Sequence, residues 1–162
     1  MRGRCWKFGD NIPTDRIVRS DRVLRPMSEI VKHVLETSNP DFPIKVKPGD
    51  IIVAGKHFGQ SSGRAIAAKA IKATGVGCVI AETFARTFYR NGFEIGMPIL
   101  ECPGITAHVS DGDILVVDIA TGAIVNETTG RAFQAMPTPP FLQEMLKAGG
   151  LIPMAERLAN EA

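Results

Sequence analysis

Residues 50–71 read Asp50-Ile51-Ile52-Val53-Ala54-Gly55-Lys56-His57-Phe58-Gly59-Gln60-Ser61-Ser62-Gly63-Arg64-Ala65-Ile66-Ala67-Ala68-Lys69-Ala70-Ile71, and this stretch decides the fold. An apolar run ends at Gly55, passes through small and polar residues, and opens into a segment with helical spacing, so it reads as strand, loop, helix. In the helix Ile66, Ala67, Ala70 and Ile71 share one face, Lys69 and Lys72 take the other, and Gly75 suits the position just past the end. The loop therefore delivers Ser61, Ser62 and Arg64 to a helix N-terminus. There the unpaired N–H groups and the positive dipole end favour an anion, and a guanidinium offers a bidentate partner for carboxylate or phosphate.

Downstream, Gly77 to Ala81 reads as a second strand, Glu82 to Gly92 as a helix, and Met97 to Glu101 as a third strand. Strands alternating with helices over short connections imply a parallel core of βαβ units. Past Pro103 the pattern changes: Asp113-Ile114-Leu115-Val116-Val117-Asp118, a turn at Thr121-Gly122, and Ala123-Ile124-Val125-Asn126 predict a hairpin added as a β-rich layer. Pro140 to Lys147 and Leu151 to Leu158 are expected to be helical.

Upstream, Arg4 to Phe8 predicts a short strand ending at Gly9, and residues 10–18 an extended loop. Arg16, Arg19, Arg22 and Arg25 recur every third residue, the pattern of a solvated face with one arginine available to an acidic ligand. Ser28 to Thr37 predicts a helix capped by Ser28. Asp10 and Asp15, among turn formers, are expected to accept backbone N–H bonds. His57 reads as a loop residue, and His33 and His108 as histidines without polar company.

The chain has 162 residues, 44% of them hydrophobic and 22% charged, which suits one globular α/β unit over 1–162. A net charge of +2 with scattered Lys and Arg speaks against a nucleic-acid surface. No apolar run approaches a bilayer-spanning length, so a cytoplasmic protein with no membrane role is expected. Cys5, Cys78 and Cys102 are far apart and form no C-x-x-C, which argues against a disulfide framework or a metal site held by this chain alone. Lys56 follows Gly55 without the spacing of a phosphate loop.

Several blocks, in order, resemble one family: Trp6-Lys7-Phe8-Gly9-Asp10-Asn11-Ile12 with Thr14-Asp15; Val46 to Lys56 with Phe58-Gly59; Ile80-Ala81-Glu82-Thr83-Phe84-Ala85-Arg86 with Phe88-Tyr89-Arg90-Asn91; and Ile95 to Glu101. The chain is similar over nearly its full length to small subunits of 3-isopropylmalate dehydratase in the aconitase superfamily. The resemblance implies a swivelling β/β/α domain acting only with a large subunit, whose own cysteines hold a [4Fe–4S] cluster. The implied reaction is dehydration and rehydration of a hydroxy acid carrying two carboxylates, in leucine biosynthesis.

Carried over by position, the family's proton-abstracting serine is Ser62 and its carboxylate-clamping arginine is Arg64, with Ser61 the base under an alternative alignment. The family's Gly-Ser-Ser reads Ser61-Ser62-Gly63 here, so Gly63 stands where a substrate-binding serine is usual. Ala65 and Ile66 replace the family's Glu and His, and Pro13 stands where Asp is common. These departures imply a changed substrate rather than a dead site. Arg22-Val23-Leu24-Arg25 corresponds to the stretch that binds the shared carboxylate and selects side chains, which makes Arg22 a candidate second clamp and Arg25 a selectivity position. Candidate substrates are 3-isopropylmalate, citrate homologues such as homoaconitate, and 2,3-dimethylmalate. Two other readings remain: a non-catalytic anion-binding module, and a structural homo-oligomer whose loop merely packs.

Overall fold

The structure, a computed structural model, describes all residues from Met1 to Ala162. Seven strands form one mixed sheet in the order β4-β3-β2-β1-β5-β6-β7. They are β1 (Arg2–Lys7), β2 (Ile51–Ala54), β3 (Cys78–Ala81), β4 (Ile99–Glu101), β5 (Ile114–Val117), β6 (Ala123–Asn126) and β7 (Arg131–Gln134). The helices are α1 (Thr14–Ile17), α2 (Met27–Ile30), α3 (Phe42–Lys45), α4 (Ala65–Ala73), α5 (Arg86–Glu94), α6 (Pro140–Ala148) and α7 (Leu151–Glu161).

β1 is shared between two kinds of pairing. Cys5, Trp6 and Lys7 lie parallel to Ile51, Ile52 and Val53 of β2, whereas Arg2, Gly3 and Arg4 lie antiparallel to β5. β2, β3 and β4 continue in parallel, and β5, β6 and β7 form an antiparallel meander. The expected hairpin is therefore two strands of a three-stranded unit. β7 went unread because Arg131, Ala132 and Gln134 are exposed and show no apolar alternation.

The period of two along β2 and β3 sorts side chains between two cores. Ile52, Ala54, Val79 and Ala81 face the helices with Phe58, Phe88 and Phe93, while Ile51, Val53, Cys78 and Ile80 face Leu115, Val117 and Ile124 of the meander. Burial on both sides explains the unbroken apolar runs of the parallel strands. The result is the β/β/α layering expected from the resemblance.

Three local readings are corrected. Residues 10–18 are not wholly extended, because Thr14 to Ile17 form a helical turn that buries Thr14 and Ile17. The helix expected over Ser28 to Thr37 is α2 and a separate 3-10 turn at Val31–His33. Pro26, not Ser28, holds the cap position, and Leu35 adopts φ +57° while donating its N–H to the Ile17 carbonyl at 3.1 Å. Burial of Val34 and Leu35 outweighs continuation of the helix. Helix α5 starts at Arg86 rather than Glu82, since residues 82–85 stay extended: Phe58 donates to the Thr83 carbonyl at 3.1 Å, and Ala85 to the Phe58 carbonyl at 2.9 Å.

Candidate active site

The loop from Gly55 to Arg64 leaves the C-terminal end of β2, the end of a parallel sheet where ligands gather. Its path is set by a second segment zipped beside it. Asn11 donates to the Lys56 carbonyl at 2.7 Å, Gly59 to Ile12 at 2.8 Å and Thr14 to Gln60 at 2.9 Å. Gly59 is required at its position, with φ +80°, because a Cβ there would lie 2.3 Å from Cγ of Phe88.

Ser61, Ser62, Arg64 and Ile66 form one wall of a cleft of about 210 Å³. Thr14, Asp15, Val18 and Val23 form the other. The Ser62 Oγ lies 2.9 Å from the Thr14 Oγ1 and accepts a long hydrogen bond, 3.4 Å, from the Arg64 backbone N–H. Helix α4 begins beside it with no side-chain cap, so its first N–H groups remain available to an anion. The Arg64 guanidinium is exposed and makes no hydrogen bond or ion pair within the chain. Ser61 sits at φ +88°, a left-handed conformation uncommon for a residue with a Cβ. Gly63 turns its carbonyl to the Asn91 Nδ2 at 3.3 Å and contributes no side chain to the cleft.

The structure thus brings Ser61, Ser62 and Arg64 together and keeps Arg22 and Arg25 away from them. Arg22 pairs with the Glu36 carboxylate at 3.3 Å, in a neighbouring cleft that also holds Arg19, Lys32 and His33. Arg25 is exposed and unpaired. His33 does have polar company, since its Nδ1 lies 2.6 Å from the Glu36 Oε2. Asp10 accepts a backbone N–H, but that of Lys56 at 2.8 Å across 46 residues, so the bond joins two distant segments rather than closing a local turn. Asp15 accepts no such bond and instead faces the cleft. Thr14, Val18, Val23 and Ile66 were missed as site residues; the only sequence signal, and for Thr14 alone, is that the apolar Ile12 and Ile17, both buried, bracket a segment that must turn inward.

A larger groove, about 780 Å³, lies between α5 and the C-terminal helices and is lined by Phe84, Tyr89, Phe93, Phe141 and Arg90 among others. It is lined mainly by aromatic and aliphatic side chains and holds no serine, so chemistry rather than volume selects the smaller cleft.

The chain's own residues do not fit an iron–sulfur cluster. No three His, Cys, Asp or Glu side chains converge on a common point. Cys5, Cys78 and Cys102 are buried in the apolar layer between the two halves of the sheet. Burial pushes the Cys5 and Cys78 thiols up to about 12 and raises that of Cys102 as well, whereas a cluster ligand must be thiolate. No helix is long and apolar enough to cross a membrane.

The profile of the aconitase C-terminal domain matches residues 23–103. A 3-isopropylmalate dehydratase small subunit of Thermodesulfovibrio yellowstonii is 48% identical over 154 residues, covering 94% of this chain and 91% of that one. An isopropylmalate/citramalate isomerase small subunit of Methanocaldococcus jannaschii is 46% identical over 163 residues, covering 100% of this chain and 97% of its own. Among solved structures, the crystal structure of a 3-isopropylmalate dehydratase from the same organism superposes with a TM-score of 0.92 at 35% identity, covering 98% of this chain and 94% of that one.

Proposed function

The chain belongs to the 3-isopropylmalate dehydratase small-subunit family of the aconitase superfamily, a family of hydro-lyases, and from that premise we propose that Ser62 and Arg64 form its share of a dicarboxylate site completed by a large subunit. The observation that carries this reading is the juxtaposition of Ser62, the unengaged Arg64 guanidinium and the uncapped start of α4 on one cleft wall.

In the proposed step the Ser62 Oγ, as alkoxide, takes the proton from the carbon beside a substrate carboxylate. The C–H bond breaks, an O–H bond forms, and the electron pair left on carbon spreads into the carboxylate. Arg64 and the α4 N–H groups hold that developing charge. A neutral serine hydroxyl is a weak base, which is why the charged surroundings matter. The rest of the reaction, together with the [4Fe–4S] cluster expected from the resemblance, falls to the large subunit.

The substrate is a hydroxy-dicarboxylic acid of the 3-isopropylmalate kind. A shift to an alkylated relative such as 2,3-dimethylmalate, rather than to the tricarboxylate homoaconitate, is favoured by Gly63, Ala65 and Ile66, which lack the polar side chains that the family pattern places there. Val18, Val23 and Ile66 instead set aliphatic side chains among the cleft's hydroxyls and charges.

The test is reconstitution with the large subunit. Ser62→Ala should lower kcat by about 10²–10⁴-fold with the complex still assembled, as expected for loss of a general base. Wild-type turnover in that variant, or turnover by the isolated chain, sinks the proposal. Assay of 3-isopropylmalate, 2,3-dimethylmalate and homoaconitate side by side ranks the substrates.

A further inference from the structure

Ser62 is the residue proposed to move the proton, yet what touches it most closely is another hydroxyl. The Thr14 Oγ1 lies 2.9 Å from the Ser62 Oγ, across 48 residues of sequence. Thr14 is 6% exposed, one of few polar side chains buried in the chain. Its position is held from both sides: its N–H is bonded to the Gln60 carbonyl, and its neighbours Ile12 and Ile17 are sunk in the helix-side core. A buried hydroxyl fixed this firmly and pointed at a single partner is a built contact.

We propose that Thr14 is a positioning residue for Ser62, donating its O–H to the Ser62 oxygen so that this oxygen works as the base. The inference rests on the assignment of Ser62 as base. Its physical content is an arrangement of donors. The Arg64 backbone N–H already points at the Ser62 Oγ, and at 3.4 Å it is too long to stabilise an alkoxide strongly. The Thr14 O–H, at 2.9 Å, supplies the short donor. With Thr14 and the Arg64 N–H both donating, the Ser62 oxygen keeps one lone pair directed into the cleft, where the substrate carbon must lie. A hydrogen bond to the charged form lowers the Ser62 pKa and raises the alkoxide fraction. The alkoxide is intrinsically a weaker base for it, but by less than the gain in fraction, so the rate near neutral pH rises. When Ser62 becomes O–H after the transfer, Thr14 retains the bond and holds the rotamer for the reverse step.

The other charged groups facing the cleft are few. Asp15 extends from α1, Arg64 stands before α4, and no titratable side chain reaches it from the Ser20–Arg22 turn. Asp15 opposes ionisation of Ser62 and Arg64 favours it, and both remain unchanged when Thr14 is replaced.

The experiment uses the holoenzyme reconstituted with its large subunit, and three variants: Thr14→Val, Thr14→Ser and Ser62→Ala. Thr14→Val should lower kcat about 10–100-fold with KM within about twofold, and should move the acid limb of the kcat profile up by about one to two pH units, the scale of one hydrogen bond to a charged group. Thr14→Ser should restore both values, because it returns the hydroxyl. A role in packing alone predicts the reverse: a loss of stability with the acid limb unmoved. Thr14→Ala repeats the measurement if the buried isopropyl group of the valine variant prevents folding. Loss of turnover in Ser62→Ala alongside a wild-type rate and an unshifted limb in Thr14→Val or Thr14→Ala overturns the role of Thr14 alone. Wild-type turnover in Ser62→Ala overturns the base assignment and this inference with it.

Discussion

Two turns in this protein are built alike and lead to different ends. Lys47-Pro48-Gly49-Asp50 opens β2 in the parallel half, and Ser110-Asp111-Gly112-Asp113 opens β5 in the antiparallel half. In each the aspartate N–H bonds back to the first residue's carbonyl, at 3.0 and 3.1 Å, and its carboxylate accepts that residue's N–H at 2.9 Å. Each carboxylate is buried and satisfied by one more donor, the Trp6 indole N–H for Asp50 at 2.9 Å and the Asn126 amide for Asp113 at 2.7 Å. Beyond the turns the halves diverge. The parallel strands need crossovers, and the one that leaves β2 begins with the long loop 55–64 that carries Phe58, Ser61, Ser62 and Arg64. The antiparallel strands turn back at once and release none. The same local chemistry therefore starts a strand in both halves, but only the half with crossovers has chain to spare for a site.

The comparison predicts a separation of effects: change in the meander should act on stability, and change in the crossover loops on chemistry. The largest expected effect tests the meander. Ile124 is fully buried against the parallel strands, so Ile124→Ala should cost about 2–5 kcal/mol of folding free energy while kcat per folded molecule in the reconstituted enzyme stays unchanged. A fall in kcat greater than about threefold in the still-folded variant would break the separation.

A smaller effect follows from the thiols between the halves. Burial holds Cys5 and Cys78 protonated up to about 12, against a usual value of 9. The unfolded chain ionises first, so the stability these groups confer is complete below pH 9 and is lost as pH rises from about 9 towards 12. Melting temperatures measured from pH 8 to 11 should fall more steeply for the wild type than for Cys5→Ala/Cys78→Ala. Parallel slopes would mean that the thiols do not report on this layer.

The smallest expected effect lies in the loop. Ser61 is held at φ +88°, so Ser61→Gly should raise stability by about 0.5–1 kcal/mol through relief of the left-handed backbone. Turnover should survive, because Ser62 rather than Ser61 is the proposed base. A collapse of kcat in this variant would favour the alternative register, with Ser61 taking the proton.

What the sequence by itself determined is the part governed by short-range periodicity and by ordered motifs. The apolar run at Ile51 to Ala54, the helical spacing from Ala65 and the Gly75 stop identified the central unit, because a period of two and one of 3.6 are visible within a dozen residues. The blocks around Trp6-Lys7-Phe8, Val46 to Lys56 and Phe84 to Asn91 identified the family for the same reason: they are contiguous. Only the tertiary structure decided what depends on distant chain segments meeting. Nothing near Thr14 announces that its hydroxyl lies 2.9 Å from that of Ser62, since the bond exists only when residues 11–14 zip against 56–60. The even spacing of Arg16, Arg19, Arg22 and Arg25 offered no means to tell that Arg22 turns to Glu36 while Arg64 stays unengaged. The helix expected from Ser28 fails because Leu35 gains more from the core and from the Ile17 carbonyl than from another helical turn. Local propensity is worth tenths of a kcal/mol per residue and burial several times that, so the chain followed its pattern wherever the two agreed and the tertiary contacts wherever they did not.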